Sequence, residues 1–133
     1  MAPFVPVLDQ ALPRTGSPTS TARDATRDFL RHAARTRPPA RPEYTDAILL
    51  IVAELVTNAI RHTDGPATLH LELGDDHIEI RVSDTSPHPP TPHTPRTDGT
   101  GGYGWHLIHR LTTHTHTEST PDGGKTIHAH ASW

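Results

Sequence analysis

The sequence predicts an α+β domain in which two helices precede an antiparallel hairpin and a third helix precedes a second hairpin. Three observations carry that prediction. Apolar residues recur at helical spacing through residues 20–35 and 42–62. They switch to strict alternation on either side of Gly74-Asp75-Asp76 and of Pro121-Asp122-Gly123-Gly124. The chain of 133 residues is the length of one folding unit, so both patterns belong to a single core.

In chain order, Phe4-Val5-Pro6-Val7-Leu8 is a short apolar stretch suited to an edge strand or a flexible lead, which sets residues 1–19 apart from a domain over 20–133. Ser20 or Thr21 can cap a first helix that runs to about Arg35 with Ala22, Ala25, Phe29 and Ala33 as its apolar stripe, and Pro38-Pro39 stops it. Pro42 suits the first turn of a second helix reaching His62, with Ile48, Val52, Leu55 and Ala59 on one face. Leu69, Leu71 and Leu73, then Ile78, Ile80 and Val82, alternate with polar residues and form a hairpin with one dry face. Residues 85–100 hold five prolines and no large apolar side chain, so they form a long surface loop, a length usually tied to function or disorder. Gly101 to Gly104 lead into a helix carrying Trp105, Ile108 and Leu111, and a last hairpin pairs about 114–119 with 126–132.

Composition narrows the function. Twelve Lys and Arg against 15 Asp and Glu give a net charge of −3, so the basic excess needed to bind a phosphate backbone is missing and direct nucleic-acid binding is disfavoured. The absence of cysteine removes disulfides, thiolate metal sites and cysteine nucleophiles, and fits a reducing compartment. The longest apolar run, Ala47 to Ala53, falls far short of the roughly 20 residues that cross a bilayer, and no signal-peptide pattern opens the chain. A cytoplasmic location without membrane contact is therefore expected.

Three constellations can carry chemistry. Glu54 and Asn58 stand at i and i+4 on the second helix, bordering its apolar face, with Arg61 and His62 one turn on. A carboxylate there can take a proton and an amide oxygen can hold a hard cation, although the same stripe also suits a plain solvated flank. Asp84 continues the inward phase of Ile78, Ile80 and Val82, and an inward carboxylate needs a partner. Backbone donors of the following turn can serve, or the amino group of a ligand. Gly99-Thr100-Gly101-Gly102-Tyr103-Gly104 matches G-x-G-x-x-G, but the preceding strand ends about fifteen residues earlier, which excludes a dinucleotide-fold fingerprint. Its four glycines still let N–H groups crowd an anion at a helix N-terminus, with phosphate the natural guest and a ligand-free hinge the alternative.

In this order the features resemble the GHKL, or histidine-kinase-like, ATPase domains, and among them the small bacterial anti-sigma factor serine kinases. The likeness covers about residues 20–133, with Glu54-Leu55-Val56-Thr57-Asn58-Ala59-Ile60-Arg61-His62 as the N box and residues 99–107 as the second glycine box. The resemblance implies a two-layer α/β sandwich of the Bergerat type, with helices on one face of a mixed, mostly antiparallel sheet and ATP between the layers. It implies Glu54 as general base, Asn58 as Mg²⁺ ligand, Asp84 as acceptor from the adenine amino group, and His62 together with Gly99, Thr100, Gly101, Gly102, Tyr103 and Gly104 around the nucleotide. The implied activity is ATP-dependent phosphorylation of a serine on a regulatory partner, a sigma factor or an antagonist of an anti-sigma factor, hence a role in transcription regulation; homodimerisation is left open. One departure stands out. The family's first glycine box reads D-x-G-x-G, whereas this chain has Asp84-Thr85-Ser86-Pro87-His88, a stiffer backbone that favours the alternative of a catalytically weak module acting by sequestration.

The twelve histidines offer a separate reading as a metal-binding protein. A hairpin centred near Asp122 pairs His116 with His128 and His114 with His130, gathering four imidazoles on the open side of the sheet, where Zn²⁺ or Ni²⁺ could bind. Gly124-Lys125-Thr126 echoes only part of the family's late-strand glycine and threonine, and no role is assigned to it.

Overall fold

The computed structural model describes residues 6–13, 16–62, 65–86 and 104–133, with backbone only at 62 and 104–107. The order is β1 (Val7–Leu12), α1 (Pro18–Thr36), α2 (Glu43–His62), β2 (Ala67–Leu73), β3 (His77–Asp84), α3 (Gly104–Leu111), β4 (Thr112–Ser119) and β5 (Lys125–Ser132). The strands form one five-stranded sheet in the order β1-β2-β3-β5-β4, and each of the four pairings is antiparallel, so the expected mixed character is replaced by a purely antiparallel sheet among the described residues.

Period-2 alternation fixes the two faces. Ile78, Ile80, Val82 and Asp84 on β3 are buried, as are Leu69, Leu71 and Leu73 on β2 and Ile127, Ala129 and Ala131 on β5, while Glu79, Arg81, His70 and Glu72 fall on the other side. α2 lies over β2, β3 and β5 and contributes Ile48, Ile51, Val52, Leu55, Val56 and Ala59, each almost wholly removed from water. Each such large side chain contributes about 1.5–3 kcal/mol on burial, which makes α2 the spine of the core.

α1 begins three residues earlier than its sequence cap suggests. Ser17 is the N-cap, its hydroxyl oxygen accepting from the Ser20 N–H at 3.3 Å, and Pro18 occupies the first turn, where the missing N–H is harmless. The buried stripe of α1 is Ala22, Thr26, Phe29, Leu30 and Ala33, and Ala25 is only half-buried. Thr26 can be buried because its hydroxyl donates to the Ala22 carbonyl at 2.7 Å and leaves the methyl group to pack. At the other end Trp133 ties the chain down, its indole N–H donating to the Arg37 carbonyl at 2.8 Å and its backbone N–H to the Asp76 carbonyl. No described helix is long and apolar enough to cross a membrane.

Candidate functional site

The β3 strand delivers Asp84 to the helix side of the sheet at its last position, 4% exposed. The antiparallel register with β5 sets Lys125 directly opposite. Lys125 Nζ lies 2.9 Å from each carboxylate oxygen and donates its directed hydrogen bond to Oδ1, which also accepts the Ser86 N–H at 2.8 Å. Oδ2 is within ion-pair distance of the ammonium, yet it is buried with no hydrogen-bond donor aimed at it among the described residues. The next turn thus supplies one donor to the inward acid, and the Lys125 ammonium lies beside both of its oxygens.

Lys125 is the residue that sequence reasoning missed. Its signal was parity, since it continues the inward phase of Ile127, Ala129 and Ala131, but a lysine beside a Gly-Gly turn reads as solvated. The approach of β5 to Asp84 depends on Gly124: a Cβ there would collide with the Asp84 carbonyl oxygen and crowd Thr85 Cα. The turn that feeds this approach places Gly123 at φ 88°, a region that favours glycine. Its carboxylate Asp122 accepts the Thr120 hydroxyl and the Gly124 N–H, and the Thr120 hydroxyl above all holds the Asp122 carboxyl below its usual range.

Asp84 and Thr85 border a cavity of about 160 Å³ that also touches Thr68, Ser83 and Asp122. Thr68 and Ser83 have the outward phase of their strands, so this cavity opens away from the helix side, where the Asp84 carboxylate is buried.

Glu54 and Asn58 are half-buried on α2, flanking Leu55 and Ala59, as a stripe at the border of the apolar face should be. Neither side chain makes a hydrogen bond or ion pair with another described residue, so a carboxylate and an amide stand available on one helix flank. The helix carrying them packs on the strand that carries Asp84, whose carboxylate takes its hydrogen bonds from Ser86 and Lys125 rather than from Glu54 or Asn58. His62 closes α2 and Gly104 opens α3 as backbone, while Gly99, Thr100, Gly101, Gly102 and Tyr103 lie outside the described residues.

The chemistry of this donor set suits an adenine nucleotide. An inward carboxylate is an acceptor of the kind an exocyclic amino group can meet, and an amide oxygen such as that of Asn58 is a hard ligand of the class Mg²⁺ takes.

The opposite face of the sheet carries a second polar set. Glu79 accepts from Arg81 Nε at 2.8 Å, and this bond chiefly holds the Glu79 carboxyl below its usual value. The expected pairs His114 with His130 and His116 with His128 are in register across β4 and β5. Burial, followed by the neighbouring His77, lowers the His130 pKa.

Residues 16–129 match the family model described as the histidine kinase-like ATPase domain. No curated protein matches the chain.

Proposed function

We propose a function from the premise that the chain belongs to the histidine kinase-like ATPase domain family: it binds ATP and transfers the γ-phosphoryl group to a serine hydroxyl of a regulatory partner, as the anti-sigma factor serine kinases it resembles do. An ATP-binding module follows from the family itself. The observation that carries the nucleotide reading is the buried Asp84 carboxylate on the inward side of the strand.

In this reading Asp84 Oδ2 accepts the adenine amino group and sets the base in place. Glu54, without a hydrogen-bond partner among the described residues, takes the proton from the serine hydroxyl. Asn58 would hold Mg²⁺ through its amide oxygen, and the ion when bound offsets the charge of the phosphates. Main-chain N–H groups of Gly99 to Gly104 would complete the phosphate contacts. The partner is a sigma factor or an antagonist of an anti-sigma factor, in the cytoplasm.

Calorimetric titration with ATP and Mg²⁺, paired with transfer from γ-labelled ATP and release of inorganic phosphate, tests this. Glu54→Ala keeps nucleotide affinity within about threefold and lowers transfer by about 10²-fold or more. Equal loss of both would assign Glu54 a structural role and remove the kinase mechanism.

Lys125 favours a second reading. An ammonium 2.9 Å from both oxygens of Asp84 competes with any ligand for that acid, and the glycines that usually follow the acid are Ser86 and His88 here. The domain would then hold nucleotide weakly and act by sequestering its partner, and the same titration would yield binding without turnover.

A further inference from the structure

We propose a Zn²⁺ site on the open face of the sheet, formed by His116, Glu118 and His128, separate from the nucleotide-binding face. One ligand atom from each of these residues lies within 4.8 Å of the others. A tetrahedral zinc with bonds of about 2.0–2.2 Å needs donors about 3.3 Å apart, a closure that side-chain rotation on a strand surface supplies. Two imidazoles and a carboxylate are the donor set of a borderline first-row divalent ion and differ from the all-oxygen environment of Mg²⁺.

The four imidazoles expected from the sequence do gather, with His114 tilted between His116 at 5.2 Å and His130 at 5.5 Å between ring centroids. His116 stacks on His128 with ring centroids 4.2 Å apart and planes 9° from parallel, whereas His130 stacks on His77 at 4.3 Å and 17°. Glu118, rather than His130, brings a ligand atom beside the first stack: Glu118 Oε1 is 2.6 Å from His128 Nε2. The outer contacts then orient the ligands. His114 Nε2 lies 3.1 Å from His116 Nδ1, which leaves the other ring nitrogen of His116 for the ion. Glu79 Oε1 lies 3.6 Å from His128 Nδ1, an ion-pair distance, and Arg81 holds Glu79 in turn. A carboxylate behind a ligating imidazole fixes the ring and raises its basicity. His128 is 8% exposed and its two partners are on the surface of the edge strand β4, so a fourth position stays open to water.

The full chain, stripped with chelator, is titrated with Zn²⁺ alone against a chromophoric competitor, with Co²⁺ absorption as a report on coordination. One equivalent of Zn²⁺ binds, the cobalt form shows the intense visible bands of a four-coordinate ion, and the melting temperature rises. His116→Gln and Glu118→Gln, both exposed and harmless to the fold, each weaken binding at least tenfold and abolish the thermal shift. His128→Gln does the same, Glu79→Gln weakens binding about tenfold, and His32→Gln on α1 leaves it unchanged. Absent saturable binding, or an affinity untouched by Glu118→Gln and His116→Gln, overturns the site. Loss on His130→Gln with Glu118→Gln neutral overturns this ligand set in favour of the imidazole patch.

Discussion

Asp84 and Glu79 share one strand and point to opposite faces, and their surroundings treat the two charges differently. The Asp84 side chain is 0% exposed and its countercharge, Lys125, 4%; Glu79 is 16% exposed and its partner Arg81 38%. On the helix side the Asp84 charge is shut off from solvent and held by Lys125 and the Ser86 N–H. On the open side Glu79 lies within reach of both Arg81 and His128, and solvent screens each contact. Five positions along the strand, an odd number, thus separate an obligatory ion pair from an adaptable polar surface, and the two proposed sites follow that division.

The largest effect comes from breaking the buried pair. Lys125→Met strands the Asp84 charge and costs about 3–5 kcal/mol in urea unfolding, while the double variant Asp84→Leu with Lys125→Met recovers most of that loss. A single variant within about 1 kcal/mol of the parent would erase the contrast between the faces. Glu79→Gln, on the open side, costs about 0.2–1 kcal/mol in the same experiment, because its partner is already screened.

The smallest effect is that of Asp122. The Thr120 hydroxyl and then the Gly124 N–H hold its folded-state pKa below the ordinary 3.8. A depressed carboxyl contributes stability fully above the unfolded value and loses it as pH falls through the folded one. The stability gap between the parent and Asp122→Ala is therefore present at neutral pH and closes below about pH 4, as followed by unfolding at a series of acidic pH values.

Alternation made most of this face assignment legible in the sequence. The inward phase of Asp84 and the pairing of His116 with His128 both follow from counting in twos, because a strand has only two sides. Lys125 was not legible, since its burial depends on a register between residues 41 positions apart. Glu118 was missed for a related reason: it meets His128 along the diagonal between strands, and the His77 ring that stacks on His130 comes from a third strand. The start of α1 was misplaced because Ser17-Pro18 competes with Ser20 and Thr21 as a cap, and the proline decides it. The glycine loop is plain in the sequence and lies outside the described residues.

The central claim is that Asp84 is the acid that reads an adenine nucleotide. Its most direct test is calorimetric titration of ATP and Mg²⁺ into the parent protein and into Asp84→Asn, with circular dichroism fixing the folded fraction of each. The expected result is saturable 1:1 binding to the parent and an affinity at least tenfold weaker in the variant. No binding to the parent, or equal affinity in folded Asp84→Asn, would contradict it.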